Sequence, residues 1–207
     1  MIDAAGVGHG AIAERLAAVR ARIASAAARS GREAGAVTLI AVSKTHPAEV
    51  LREAIEAGAT AFGENRVQEA EDKVEAIGRV PEWHLIGGLQ TNKVRQAVAL
   101  FDVIHSLDRI ELGRALSIHA VRIGIRCRAL VQVNVTGKET QGGVAPESLE
   151  ALVRELAALP GLNLDGLMCI APDVLEVGGA RGTRPTFQSV AAQWGHLAGF
   201  ARDRGHT

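Results

Sequence analysis

Apolar residues recur along this chain with two different periods. Over residues 11–29, Ile12, Leu16, Val19 and Ile23 fall at i, i+4, i+7 and i+11, one face of a helix that Ser30-Gly31 ends. From residue 39 onward, short apolar runs alternate with amphipathic stretches. The runs 39–43, 60–63, 83–86, 102–106, 128–135 and 164–168 predict six strands, the fifth the longest. A helix is predicted after the first strand, opened by Pro47 and Glu49, striped by Val50, Leu51, Ala54 and Ile55, and closed at Gly58. Others follow over 66–77, near 92–100, near 109–121, from Pro146 to Pro160-Gly161, and near 186–203 after the Gly/Arg/Pro loop 178–185.

Six strand–helix alternations imply an α/β fold, a parallel sheet with helices packed outside it. An open doubly wound sheet and a closed (β/α) barrel both fit. In each, sites form at the C-terminal edge of the strands. Several strands end there in polar residues: Ser43-Lys44, Glu64-Asn65, Ser106 and Asn134. No Gly-rich dinucleotide loop follows the first strand, which favours the barrel. Gly6-Val7-Gly8-His9-Gly10 has nucleotide-loop composition but follows no strand and lacks the spacing. No linker, low-complexity segment or short repeat divides the chain, so a single domain over 1–207 is expected.

Composition narrows the partners. With 47% hydrophobic residues the chain can build a core. The 23 basic and 23 acidic residues cancel, which argues against a broad grip on nucleic acid or an anionic membrane. No apolar run approaches the roughly 20 residues of a spanning helix. The first ten residues lack the basic and apolar regions of a secretory signal. Cys127 and Cys169, 42 positions apart, match no metal spacing and suggest free thiols in a reducing cytoplasm. Only four lysines are present, Lys44, Lys73, Lys93 and Lys138, and there is no tyrosine.

Among the lysines, Lys44 is the sharpest feature. Ile40, Val42 and Lys44 share one strand face by the period of two, which in a barrel would point inward. Desolvation there would favour the neutral amine that imine formation with an aldehyde needs. A lysine snorkelling from a strand end fits the same position. Lys73, among Glu69, Glu71, Asp72 and Glu75, reads as a solvated ion-pair partner. Lys93, after Gln90-Thr91-Asn92 at a strand-to-helix turn, reads as a surface lysine at a helix start and could also meet a phosphate or a carboxylate, and Lys138 lies in a Gly-bearing loop. Asn65 suits either a helix N-cap or a ligand at the strand edge. His84 fits a satisfied core histidine as well as a catalyst. Gly87-Gly88 lets the backbone approach a neighbour closely. Gln132 and Asn134 share a face and require a hydrogen-bond network or a ligand. His46, His84 and His105 stand apart on different strand ends, so no metal site is expected.

Six motifs then occur in order: AVSKTHP at 41–47, FGENRVQE at 62–69, WHLIGGLQTNK at 83–93, IHSLDR at 104–109, VQVNVTGKE at 131–139 and GLMCIAP at 166–172. Together they resemble the YggS/PROSC family of pyridoxal-phosphate homeostasis proteins, which is related to the N-terminal barrel of alanine racemase. The resemblance implies a (β/α) TIM-type barrel with about six of its eight strands in this sequence. It implies pyridoxal 5′-phosphate held as an imine on Lys44, with Asn65 beside the cofactor ring and His84 and Met168 lining the pocket. It implies a cofactor store or carrier without robust turnover, in the cytoplasm, a monomer serving PLP-dependent apo-enzymes.

One departure from the family stands out. Its LSMGMS-like and VRIG-like segments do not occur in these 207 residues. In barrels of this type the loops after strands seven and eight commonly build the phosphate site, so weakened cofactor binding is expected. Two other functions compete. A class I aldolase-like enzyme would use the same lysine without cofactor, and an interaction module would pair open sheet edges with another chain.

Overall fold

The computed structural model describes residues 10–202, so residues 6–9 of the N-terminal glycine stretch and the last position of the final predicted helix lie outside the described residues. Two compact units are formed. The first comprises residues 10–64 and 68–84, the second 65–67 and 85–202.

The first unit opens with α1 (Ala11–Arg29), bounded as its periodicity predicts. Gly10 enters it with φ 103°, and Gly31, at φ 68°, leaves it. The apolar stripe of α1 is only partly covered, and Ala27 is its one buried residue. Arg20 on its polar side reaches the end of α2 (Ala48–Glu56), donating to the carbonyls of Ala57 and Gly58. Between these helices β1 is only Ala41–Val42, shorter than the expected run over 39–43. It pairs in parallel with β2 (Ala61–Glu64), Ala41 opposite Phe62 and Val42 opposite Gly63. Among the described residues β1 has no strand on its other side, and Val42 is 51% exposed.

All four residues of β2 are buried, as in a parallel strand covered on both faces. The strand β3 (Glu82–Leu85) follows α3 (Val67–Ile77). Trp83 of β3 is fully buried, its ring centroid 5.7 Å from that of Phe62, and its indole N–H donates to Gly78 O at 3.2 Å. Each of these aromatic side chains contributes about 2–3 kcal/mol by burial, which makes the pair the hydrophobic anchor of the unit.

The second unit contains β4 (Val103–Leu107), β5 (Cys127–Val133) and β6 (Leu162–Cys169) in parallel, neighbouring one another in chain order. Helices α4 (Val94–Leu100), α5 (Ile110–Arg122), α6 (Leu149–Ala157) and α7 (Arg184–Arg202) alternate with them. Leu112, Leu116, Val131, Val153, Leu156 and Leu162 form a buried core between helices and sheet. The longest strand is β6, with eight residues, and not β5 as the apolar runs suggested. At its C-terminal end β5 stays in register with β6 as far as Val133 opposite Cys169, and its own loop bridges to it as well: Val144 N–H donates to Gln132 O and Asn134 N–H to Val144 O. Among the described residues no helix is long and apolar enough to cross a membrane.

Candidate functional site

Lys44 stands two residues past the end of β1, in a tight turn rather than on the strand. The turn runs Ser43-Lys44-Thr45-His46 and is closed by the His46 N–H donating to Ser43 O at 3.1 Å. Thr45, its third residue, has φ 65°, the one positive φ of a non-glycine among the described residues. Turns of this sense usually place Gly or Asn there, because a β-branched side chain crowds the backbone. Such a conformation costs about 1–3 kcal/mol and persists where surrounding contacts fix it.

Those contacts come from β2 and α3. Glu64 at the end of β2 is fully buried, and Lys73 on α3 is 6% exposed. The Lys73 ammonium donates to Glu64 Oε1 and to Ser43 O, both at 2.7 Å, and to Glu69 Oε1 at 2.9 Å. Ser43 Oγ donates to Glu64 Oε1 at 2.6 Å, and the Thr45 N–H donates to Glu69 Oε1. A buried ion pair of this kind is stable only when its remaining hydrogen-bond capacity is met. Here Ser43 and the turn backbone meet most of it, leaving Glu64 Oε2 buried without a hydrogen-bond partner.

Two expectations are corrected. Lys44 is exposed, so the desolvation expected from an inward-facing strand position does not hold; the residue at that edge that goes inside is Ser43. The reason is the short β1, which ends before the alternation reaches residue 44 and has a partner on one side only. Lys73, read as a solvated ion-pair partner, is instead a buried hub. The signal was present in the helix pattern: Val67, Ala70 and Lys73 share a face, and all three are buried.

The remaining site residues are placed as follows. In the first unit, His84 is buried on β3, with Nε2 3.3 Å from Glu82 Oε2. In the second unit, Asn65 is half-buried in the bend after β2. Because α3 begins at Val67, Asn65 precedes the N-cap position and does not serve as the cap. The close approach expected of Gly87-Gly88 is made by Gly87, and its neighbour is Asn65: a Cβ on Gly87 would lie 2.3 Å from Asn65 O and 2.7 Å from Asn65 Cα. Met168 lies half-buried on β6, in register with Gln132 of β5.

The polar pair Gln132 and Asn134 finds a network. Gln132 Nε2 donates to Gly142 O at 2.9 Å. Asn134 Oδ1 accepts from the N–H groups of Thr136 and Gly137, and its Nδ2 donates to Lys138 O and Gln141 O. Lys138 pairs with Glu176 at 2.7 Å. Both cysteines are free, and burial together with Asp165 pushes the Cys127 thiol up to about 12. Burial also raises the Cys169 thiol. No cluster able to hold a metal ion occurs among the described residues.

Chemically, the first unit presents an accessible primary amine at a strand exit, on a turn whose two flanking peptide groups are fixed. A reachable primary amine can attack an aldehyde held near it, and the same position suits a lysine that simply stays solvated at a strand exit.

Comparison with known proteins bears on the family. The family described as "Alanine racemase, N-terminal domain" matches residues 15–204. The pyridoxal phosphate homeostasis protein of Aquifex aeolicus is 44% identical over 160 residues, covering 77% of this chain and 70% of that protein. Its counterpart in Escherichia coli K12 is 38% identical over 194 residues, covering 90% and 83%. Among solved structures, PipY of Synechococcus elongatus with PLP bound superposes with a TM-score of 0.78 at 38% identity, covering 92% of this chain and 83% of that one. Alanine racemase of Corynebacterium glutamicum shares the fold, at a TM-score of 0.64 and 20% identity, with 96% of this chain matched to 52% of the enzyme. The family and the alanine racemase type of α/β fold expected from the six motifs are thereby borne out.

Proposed function

This chain belongs to the family of pyridoxal phosphate homeostasis proteins, on the alanine racemase N-terminal fold, and from that premise we propose that it binds pyridoxal 5′-phosphate as an imine on Lys44. The observation that carries the reading is the Lys44 amine, exposed on a turn whose neighbouring peptides are clamped, within the AVSKTHP motif. When bound, the cofactor supplies an aldehyde that the amine condenses with, releasing water. Asn65, His84 and Met168 are proposed as cofactor-lining residues from their motif positions.

The role proposed is storage and delivery of the cofactor, with PLP-dependent apo-enzymes as recipients and without turnover of its own, by a cytoplasmic monomer. The single cofactor-binding domain is taken as residues 1–207.

A spectral titration with pyridoxal 5′-phosphate tests the reading, with Lys44→Ala alongside. The expected result is a visible imine band in the parent chain that is lost in Lys44→Ala and discharged by a carbonyl scavenger. No band, or an equal band in both, overturns it. Lys44-dependent capture of simple aldehydes without any response to the cofactor would favour an aldolase-like chemistry instead.

A further inference from the structure

We propose that Lys73 is a positioning residue for Lys44, acting through the backbone of the Ser43–His46 turn with Glu64 and Glu69 as its carboxylate partners. The inference rests on the reading of Lys44 as the imine lysine and extends it to a second lysine that never touches the cofactor.

The geometry makes the two lysines complementary. An ammonium has three donors. All three of Lys73 are engaged, by Ser43 O, Glu64 Oε1 and Glu69 Oε1, and the side chain is buried. It is therefore withdrawn from carbonyl chemistry, while Lys44 is exposed. The peptide before Lys44 is held at Ser43 O by the Lys73 ammonium, and the peptide after it is held at the Thr45 N–H by Glu69 Oε1. Glu69 in turn is tied to Lys73 across one helical turn. Ser43 Oγ adds a third tie, to the same Glu64 oxygen that Lys73 binds. Both backbone neighbours of Lys44 thus converge on one buried cation.

The positive φ at Thr45 points the same way. A strained turn keeps its shape only while external bonds hold it. Here the bonds come from residues 20 to 30 positions away; a glycine at position 45 would adopt the same φ without strain but would not by itself fix it. A lysine side chain has four rotatable carbons, so fixing its Cα limits the volume the amine explores and favours attack on a bound carbonyl.

The experiment compares the parent chain with Lys73→Met, Glu69→Ala, the double variant Glu64→Gln with Lys73→Met, and Lys44→Ala. The double variant removes both charges of the buried pair, so it keeps its fold even where Lys73→Met alone does not. Two readouts are taken on folded protein: hydrogen exchange at the Thr45 and His46 amides without cofactor, and the imine band with pyridoxal 5′-phosphate. The proposal expects exchange at those two amides to rise about tenfold or more, with a comparable loss of imine affinity, while core amides such as those of β2 stay protected. Unchanged exchange at Thr45 and His46, or an unchanged imine band in the double variant, overturns it. An absent or Lys44-independent band in the parent chain overturns the cofactor reading and the positioning role with it. The cofactor-free exchange data distinguish that result from a turn that is simply not held.

Discussion

Two strand exits in this molecule are held by opposite means. The turn after β1, in the first unit, is fixed by side chains far away in sequence: Glu64, Glu69 and Lys73 reach back to Ser43 and Thr45. The loop after β5, in the second unit, is fixed from within, by Asn134 bonding to Thr136, Gly137, Lys138 and Gln141, none more than seven positions away. The first arrangement exists only once β2 and α3 are in place, and it uses buried charge. The second is an Asx-type loop that forms locally and uses neutral, half-exposed groups. The difference teaches that the turn carrying Lys44 is dependent on its fold, whereas the polar loop is close to self-sufficient.

The strongest way to break this contrast is Lys73→Met. It leaves the buried Glu64 without its cation, and a loss of about 3–5 kcal/mol in chemical denaturation is expected. Glu64→Gln placed on top is expected to recover a large part of that loss. Asn134→Ala should cost less, about 1–2 kcal/mol, because its groups regain water when the loop opens. The loss is expected to be confined to the loop, with exchange rising over 134–142 and no change at Thr45. Gly87→Ala tests a contact neither network provides: its Cβ would meet the Asn65 backbone at 2.3 Å, and a loss of about 1–3 kcal/mol in thermal or denaturant melts is expected.

Thr45→Gly sharpens the comparison from the other side. It relieves the positive φ but frees the unfolded chain, so a net change of about 1 kcal/mol or less is expected. If the turn is held from outside, the same substitution should also make it less sensitive to Glu69→Ala. The smallest effect at neutral pH comes from Cys127, whose thiol burial and Asp165 push from its ordinary value near 9.0 up to about 12. The folded state therefore keeps its proton where the unfolded state releases it. Stability is undiminished below about pH 9 and falls as pH rises toward 12. Cys127→Ala should flatten that alkaline limb, and Cys169, half-buried, should be alkylated before Cys127 in the native protein.

The sequence made some of this legible and hid the rest for identifiable reasons. The bounds of α1 and the closing of α2 at Gly58, with φ 89°, follow from local periodicity and φ preference, so they are readable. The position of Lys44 at a strand exit was readable too. Its exposure was not, because period-two reasoning assumed a strand that extends through residue 44 with neighbours on both sides. The acidic surroundings of Lys73 in sequence suggest a solvated face, and the structure buries it. Its burial depended on Glu64, nine positions earlier, coming within 2.7 Å. Gln132 and Asn134 need partners by their residue type, and the partners they find are backbone N–H and C=O groups of the following loop, which carry no side-chain signature. The cofactor itself was suggested by motif resemblance and not by the physics of any one residue.

The most direct test of the central claim is peptide mapping after borohydride reduction of the protein incubated with pyridoxal 5′-phosphate. The account predicts one dominant pyridoxyl adduct, on Lys44, with Lys73 unmodified in the native state and reactive only after denaturation. A dominant adduct on Lys73, or adducts spread evenly over Lys44, Lys93 and Lys138, would contradict it.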